Sequence, residues 1–279
     1  MYVHTTDFFK SGREFSVVWD DELGLLRTHP VPPVETLADY YDSEQYVSHV
    51  DNKKGLMPTL YRWVRAYALK SKLALIQRLQ PAKGSLLDIG AGTGAFAQAA
   101  LEKGWKVKAV EPSKVAAAQV AEKGIEVVAT LEHLTNEATY DVITLWHVLE
   151  HLPELKNAIE RIKRLLKPNG VLVIAVPNHL SYDAQHYRSH WAAYDVPRHL
   201  WHFSKETLPP LFAPELTCSK IRPMYFDAFY VSLLSEKYKS GRSFSIKALI
   251  VGLWSNLKAV RSGEYSSLIY VFKRPNSLK

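Results

Sequence analysis

The stretch LLDIGAGTG, from Leu86 to Gly94, decides the fold class. A short apolar run enters a turn that holds three glycines, and residues with helical spacing follow at once. Glycines let the backbone turn tightly and let a ligand approach the main chain, while the start of the helix offers unpaired N–H groups. The stretch therefore predicts a strand, a ligand-binding loop and a helix. It also fits the dinucleotide pattern G-x-G-x-x-G/A, so that the loop alone does not distinguish NAD from other adenosine cofactors.

Short apolar runs alternate with helical stretches on either side of this loop. Strands are predicted at Ser85–Ile89, Lys106–Val110, Ile125–Ala129, Tyr140–Trp146, Val171–Val176, Leu216–Arg222 and Ser267–Lys273. Helices are predicted at Leu56–Leu79, Ala95–Lys103, Lys114–Lys123, Leu155–Leu166, near Tyr230–Tyr238 and at Ser245–Val260, with a turn at Lys167–Gly170. The alternation predicts an α/β fold, in which a doubly wound, mostly parallel sheet of seven strands is covered on both faces.

The chain divides into an N-terminal extension, residues 1–55, and a larger domain, residues 56–279. Residues 179–206 interrupt the alternation and form a predicted cap over the sheet. Five of the eleven histidines fall between His179 and His202. A long aromatic and polar insertion in a compact domain is more often functional than not, so we expect the cap to take part in substrate binding.

Composition excludes several classes of protein. Of the 279 residues 47% are hydrophobic and 23% are charged, which is ordinary for a folded domain and excludes wholesale disorder. The single cysteine, Cys218, excludes a disulfide framework and a cysteine-based zinc site. We find no secretory signal and no apolar run long enough to span a bilayer, and we expect a cytoplasmic protein.

The net charge of +7 lies entirely in residues 178–279. This basic C-terminal part could attract an anionic substrate or a nucleic acid, although a solvated surface with spare lysines is the interpretation we favour. The helix at Ser245–Val260 is basic and amphipathic (Arg242, Lys247, Lys258, Arg261), so that binding to a membrane surface is one interpretation. We expect instead that its apolar face packs on the sheet.

Glu111 is a second candidate ligand-binding residue, after the glycine loop. Glu111 directly follows the apolar strand that ends at Val110, and there it can accept both hydroxyls of a ribose. Together with the glycine loop, and with the stretches Tyr140–Ile143 and Lys167–Gly170, it resembles the class I S-adenosylmethionine (SAM)-dependent methyltransferases. The resemblance is best from about Gly84 to Asn178, and it implies a Rossmann-like sheet.

The resemblance also implies roles for the residues at the loop. Asp88 is expected beside the amino group of the methionine end of SAM, and Glu111 is expected to hold the ribose. The predicted cofactor-binding residues are Asp88, Gly90, Ala91, Gly92, Gly94, Glu111, Trp146 and His147. The segment Ala129–Glu132 departs from the family, which usually has an acidic residue near the adenine at this point.

Two features raise the question of a metal. The stretch from His147 to His151 matches H-x-x-E-H, in which two histidines on a helix bind zinc. Here the segment begins at the end of a predicted strand and Pro153 follows, so we do not expect such a helix. The stretch Trp19–Leu25 resembles a small zinc module whose cysteines are gone, and it is expected to survive as a metal-free cap with Tyr41, Tyr46 or His49 near the pocket. No metal is predicted.

Methyl transfer to a hydroxyl group requires a general base, and histidine suits neutral pH. The stretch from Asp195 to Ser204 resembles a P-R-H-L-x-x-F-S element of one branch of the family. His199 or His202 is therefore the predicted base and Arg198 a predicted substrate-binding residue. The alternative is a structural role, in which Arg198 and His199 tie the insertion to the sheet. Tyr46, His49 and His147 are the next candidates.

The sequence predicts a methyltransferase for a small polar acceptor, such as a sugar nucleotide, and an anionic acceptor would suit the basic cap. An NAD-linked oxidoreductase and a non-catalytic SAM-binding module are the alternatives. RNA methylation fits the sequence pI of about 9.2, but no recognisable RNA-binding module is present and we expect no nucleic-acid partner. The oligomeric state is left open.

Overall fold

The computed structural model describes residues 1–41, 56–242 and 244–275. The strands of its main sheet are β4 (Ser85–Ile89), β5 (Lys106–Val110), β6 (Glu126–Val128), β7 (Tyr140–Trp146), β8 (Leu166–Pro177), β10 (Thr217–Pro223) and β11 (Ser267–Lys273). They lie in the order β10-β11-β8-β7-β4-β5-β6. Strands β4 to β8 pair in parallel, and β11 runs antiparallel to both of its neighbours. The predicted doubly wound, mostly parallel seven-stranded sheet is confirmed.

The described chain also forms α-helices. They are α1 (Val34–Leu37), α2 (Leu56–Leu79), α3 (Ala95–Glu102), α4 (Lys114–Glu122), α5 (Leu155–Leu165), α6 (Tyr182–Tyr187), α7 (Asp227–Ser240) and α8 (Ile246–Ser262). The run from Val171 to Val176 in β8 is buried along its whole length, because apolar clusters pack on both faces of the sheet. Burial on both faces explains why the central strands are continuous apolar runs rather than alternating ones.

A second sheet joins the N-terminal extension to the cap. It consists of β1 (Val3–Thr6), β2 (Glu14–Asp20), β3 (Leu25–His29) and the short β9 (Trp201–His202), in that order. The sequence did not predict β1 to β3. The stretch interpreted as a zinc-module remnant forms the end of β2, a turn and the start of β3. The division at residue 55 stays a prediction, and so does the remnant.

Two local predictions differ from the structure. The turn predicted at Lys167–Gly170 lies inside β8, because Leu166 already pairs with Tyr140 before the ladder shifts register. Helix α8 turns its large apolar side chains outward and its small ones inward, so that the predicted packing of its apolar face on the sheet is wrong. Over the described ranges, none of the helices has the length and hydropathy needed to cross a membrane.

Candidate cofactor and acceptor site

The glycine loop turns over the carboxyl edge of the parallel sheet. Gly90 and Gly92 have φ of +69° and +54°, a region in which other residues are strained. A Cβ atom on Gly90 would lie 2.4 Å from Cγ2 of Val148, so that only glycine fits there. The Gly90 N–H donates to the carbonyl oxygen of Val110 at 2.8 Å, which fixes the loop against β5. No neighbouring atom of the described chain lies within 4 Å of a Cβ built on Gly92, so a ligand has room at this point.

The rest of the loop leads into α3. The Ala91 N–H donates to the same Val110 carbonyl at 3.2 Å, and Gly94, with φ of +77°, forms the N-cap of the helix. A strand, a glycine turn and a helix therefore follow one another here, as the sequence predicts.

Glu111 lies beside this loop at the end of β5. Only 7% of the residue is exposed. Its Oε2 atom accepts a hydrogen bond from the Gly92 N–H at 2.7 Å, and its Oε1 atom accepts one from the Ser113 N–H at 2.9 Å. Each carboxylate oxygen has a further lone pair, so a diol placed over Gly92 would find two acceptors at a fixed position.

Asp88 lies in β4 beneath the loop and is 2% exposed. Its Oδ1 atom accepts a hydrogen bond from the Thr144 hydroxyl at 2.7 Å. Burial raises the pKa of Asp88 to about 7, although this hydrogen bond and the nearby ammonium of Lys72 both favour the ionised form. A cationic group that approached Asp88 would lower this pKa and be held by the resulting carboxylate.

Lys72 reaches the same region from α2. Its Nζ atom lies 4.5 Å from the centre of the Trp146 ring, which is a cation–π contact. Burial lowers the pKa of Lys72, while the charges of Asp227 and Asp88 oppose that effect. The sequence did not single out this lysine, since nothing in the helical pattern of α2 indicates where its side chain ends.

His147 follows β7 and has a positive φ of 60°. Its Nε2 atom lies 3.2 Å from Oδ2 of Asp227, and its Nδ1 atom lies 3.4 Å from Oε1 of Glu150. Burial disfavours the charged ring, but the two carboxylates outweigh this effect and raise the pKa of His147 to about 9. A histidine that is cationic at neutral pH, with both nitrogens against carboxylates, suits neither a general base nor a zinc ligand.

Glu150, His151 and His199 form a second group next to His147. Glu150 is 1% exposed, and within the described residues its carboxylate has the ion pair with His147 but no well-aligned hydrogen bond. The Nδ1 atoms of His151 and His199 lie 3.0 and 2.8 Å from the carbonyl oxygens of Arg198 and Ala193. Because a carbonyl only accepts, each Nδ1 carries a proton, and the neutral form of each ring has its lone pair on Nε2.

The two histidine rings meet edge to face, with their centres 4.6 Å apart. Burial and the charge of His199 lower the pKa of His151 to about 4, so His151 is neutral at physiological pH. One ligand atom from each residue of the group lies within 4.8 Å of the others. The group of Glu150, His151 and His199 is therefore able to accept a proton or to hold a divalent cation.

Tyr41 borders this group, since its hydroxyl lies 3.0 Å from Nδ1 of His151. Of the three residues expected near the pocket, it is the one that the structure describes. Tyr46 and His49 lie outside the described residues.

Arg198 has partners other than a substrate. Its Nη2 atom donates to Oδ1 of Asp7 at 2.8 Å and to Oδ1 of Asp195 at 2.7 Å, and its Nη1 atom donates to the carbonyl of Tyr40 at 3.1 Å. The residue is 5% exposed. These contacts tie the cap to the N-terminal extension, so the geometry favours a structural role over the predicted substrate-binding one.

His202 lies in β9 of the second sheet, where it is 5% exposed. Its Nε2 atom is 2.9 Å from the hydroxyl of Thr28, and that hydroxyl donates to the carbonyl oxygen of His199 at 2.6 Å. The hydroxyl proton is thus committed, and His202 Nε2 must donate to Thr28. Of the two histidines predicted as general base, His199 has the suitable geometry and His202 does not.

The carboxyl edge of the sheet brings together most of the predicted residues, and it adds three that the sequence left without a role. Those three are Lys72, Glu150 and Asp227. Glu150 lay in the quoted H-x-x-E-H stretch, and its position after β7 was the available signal. Asp227 begins a helix far along the chain, and no local pattern pairs it with His147.

Comparison with known proteins gives a consistent picture. A family model described as a methyltransferase domain matches residues 44–213, more than half of the chain. A ubiquinone biosynthesis O-methyltransferase of Rickettsia conorii is 25% identical over 235 residues, which cover 72% of this chain and 78% of that protein. The corresponding protein of Xanthomonas axonopodis pv. citri is 33% identical over 110 residues, 36% of this chain and 46% of that protein.

Solved structures show the same fold. The phosphoethanolamine N-methyltransferase 2 of Haemonchus contortus, in complex with SAM, has a TM-score of 0.55 at 19% identity and covers 96% of this chain and 70% of its own. The 1,6-didemethyltoxoflavin-N1-methyltransferase of Burkholderia thailandensis, with bound S-adenosylhomocysteine, has a TM-score of 0.52 at 18% identity, over 96% and 98% of the two chains.

Proposed function

The chain belongs to the methyltransferase-domain family, and we propose that this SAM-dependent enzyme methylates a hydroxyl oxygen of a small polar acceptor, with His199 as the general base. The family match selects SAM among the adenosine cofactors that the glycine loop left open. The observation that carries the acceptor half is the position of His199, whose Nδ1 donates to Ala193, whose Nε2 lies 4.0 Å from Oδ2 of Asp195, and which groups with the buried carboxylate of Glu150.

The residues at the loop fit SAM. Glu111 offers two carboxylate oxygens to the ribose hydroxyls, and Gly92 leaves room above the main chain. Asp88 would pair with the amino group of the methionine end, and this cation would offset the free-energy cost of ionising the buried Asp88 carboxyl group. Lys72, beside Asp88 and Trp146, would pair with the carboxylate of that end. When bound, SAM supplies an electrophilic methyl group on a sulfonium and leaves as a neutral thioether.

The acceptor side needs a proton acceptor and a fixed orientation. His199 donates its Nδ1 proton to Ala193, so that Nε2 is the basic atom, and 12% of the side chain is exposed to an incoming ligand. Nε2 would accept the hydroxyl proton of the acceptor as the acceptor oxygen takes the methyl group that bound SAM would supply. The carboxylate of Glu150 stabilises the imidazolium that results.

His147 has a positioning role in this proposal. Its charged ring lies between Asp227 and Glu150 and fixes the direction of the Glu150 carboxylate. The names of the relatives support a hydroxyl acceptor, since they are O-methyltransferases of ubiquinone biosynthesis. A sugar nucleotide or another hydroxylated metabolite is compatible with the same chemistry.

The test compares His199→Ala with His202→Ala. Hydroxylated acceptors are screened with labelled SAM, and turnover, SAM affinity and melting temperature are measured for each variant. We expect His199→Ala to lose about 10²–10⁴-fold in turnover with SAM affinity unchanged. His202→Ala should instead lower the melting temperature, because it removes a buried hydrogen bond.

Near-native turnover of His199→Ala would contradict the assignment of the base. A chelation experiment separates the two roles that the group of Glu150, His151 and His199 allows. Turnover that survives a chelator supports proton acceptance by His199. Turnover that is lost and then restored by one divalent cation would replace this role with metal binding.

A further inference from the structure

Helix α8 exposes its large apolar residues, whereas a helix that only supports a core would bury them. Its inward face consists of small or short side chains, and a Cβ on Gly252 would lie 2.9 Å from the carbonyl oxygen of Ala228 in α7. The outward face is large and apolar. Six side chains on it are 50–70% exposed: Ile246, Ile250, Leu253, Trp254, Leu257 and Val260. Helical spacing of i, i+4, i+7, i+8 and i+11 places the first five on one stripe, which we call the α8 apolar stripe.

Exposed aromatic residues continue from this stripe toward the candidate site. The Asn256 amide donates to the carbonyl oxygen of Tyr225 at 2.8 Å, which holds Tyr225 beside α8. The next residue, Phe226, packs edge to face on Tyr67 of α2 at 5.4 Å. Tyr225 and Phe226 are each at least 40% exposed. Phe226 immediately precedes Asp227, the partner of His147. The exposed apolar surface thus reaches the residues that surround the acceptor.

Basic side chains flank the α8 apolar stripe. They lie on α8, at the end of α7 and in the loop between the two helices, and all are exposed: Lys237, Lys239, Arg242, Lys247, Lys258 and Arg261. The acidic residue of this hairpin nearest to them, Glu236, is 7% exposed and pairs with Lys247 at 3.6 Å. This region also belongs to residues 178–279, which hold the entire net charge of +7. Charges of one sign oppose the pairing of two copies through this face and attract an anionic surface.

We propose that the α8 apolar stripe docks onto an anionic lipid surface, and that the acceptor is narrowed to an amphipathic molecule, in which the small polar head group that is methylated carries an apolar tail that keeps it in the same surface. A helix with large apolar residues and tryptophan on one face, and lysine and arginine at its flanks, lies in the lipid interface with that face buried. The part of the proposal that concerns the acceptor rests on the proposed methylation. In it, the acceptor moves from the lipid surface past Phe226 and Tyr67 to His199.

Docking is tested by co-sedimentation of the protein with vesicles, in the absence of SAM and acceptor. Vesicles of phosphatidylcholine with phosphatidylglycerol should bind the protein, and vesicles of phosphatidylcholine alone should bind it at least about tenfold more weakly. Leu253→Gln/Trp254→Gln should lose most of the binding. The matched control is Trp19→Gln/Leu101→Gln, which changes exposed apolar residues on other elements and should bind like the wild type.

Charge is tested separately. Lys258→Gln/Arg261→Gln should weaken binding to the anionic vesicles by about tenfold or more, whereas Lys103→Gln/Lys114→Gln should not. Equal sedimentation of wild type and Leu253→Gln/Trp254→Gln would overturn docking. A dimer in gel filtration that this variant converts to monomer, together with no vesicle binding, would also overturn it and assign the face to a second copy.

The apolar tail of the acceptor is tested by comparing two acceptors that share one reactive head group, one with an apolar tail and one without. Their methylation rates are measured in the presence of vesicles. The stripe variant should slow methylation of the tailed acceptor alone. Equal methylation rates for the tailed and the tailless acceptor, in both the wild type and the variant, would overturn the proposal that the acceptor has an apolar tail. Vesicle binding without methyl transfer to either acceptor would contradict the proposed function and leave docking supported, so that the two failures are distinguishable.

Discussion

Replacing Asp88 by Asn should make the ligand-free protein more stable and the cofactor site weaker. Asp88 is buried, and its pKa rises from 3.8 in the unfolded chain to about 7 in the fold. At about 1.4 kcal/mol for each tenfold change in the ionisation constant, this difference amounts to about 4 kcal/mol. Because the folded state disfavours the charged carboxylate, the wild type loses stability as the pH rises from about 4 to about 7.

Below about pH 4 the Asp88 carboxyl group is protonated in both the folded and the unfolded state, so the wild type does not lose stability there. Asparagine is neutral throughout and still accepts the hydrogen bond from Thr144. The free energy of unfolding of Asp88→Asn should therefore equal that of the wild type below about pH 4. It should exceed the wild-type value by about 4 kcal/mol above pH 7, a figure that already includes the attraction between Asp88 and Lys72.

The assay is urea unfolding across this pH range, with calorimetric titration of SAM as its second arm. The variant should lose at least about tenfold in SAM affinity, because the ion pair with the amino group is absent. A stability difference that does not change between about pH 4 and about pH 8 would refute the argument from burial. Unchanged SAM affinity would remove Asp88 from the site.

Three other perturbations test the site and its support. Glu111→Gln should lower SAM affinity by about tenfold or more, since one anionic acceptor is lost, and calorimetry that shows no change would contradict the ribose contact. Lys72→Met should have a similar effect, whereas Lys70→Met, on the exposed side of the same helix, should have none; equal affinities would contradict the carboxylate contact. Arg198→Met should lower the free energy of unfolding by about 3–5 kcal/mol, because it leaves the buried charge of Asp7 without its partner. An unchanged urea midpoint would contradict the structural role of Arg198.

The sequence predicted those parts of the site that depend on local geometry. The glycine loop and Glu111 follow successive parallel strands, and such strands end at one edge of the sheet. Lys72 and Asp227 have no such signal, because only the tertiary fold brings α2 and α7 to Trp146 and His147.

The predicted roles of Arg198 and His202 depended on side-chain direction, which spacing does not give. Their partners, Asp7 and Thr28, lie in the N-terminal strands and loops, and the sequence had not predicted the sheet formed by β1 to β3. Helix α8 was predicted as a helix, but its apolar periodicity could not reveal that the small residues face the core. Amphipathic patterning identifies two faces, and only the packed structure shows which of them is covered.

A crystal structure of the protein with S-adenosylhomocysteine tests the central claim most directly. We predict that the ribose hydroxyls lie on the carboxylate of Glu111, that the amino group lies on Asp88, and that the sulfur faces the space in front of His199 Nε2. A ligand whose ribose lies away from Glu111, or whose sulfur points away from the group of Glu150, His151 and His199, would contradict the account.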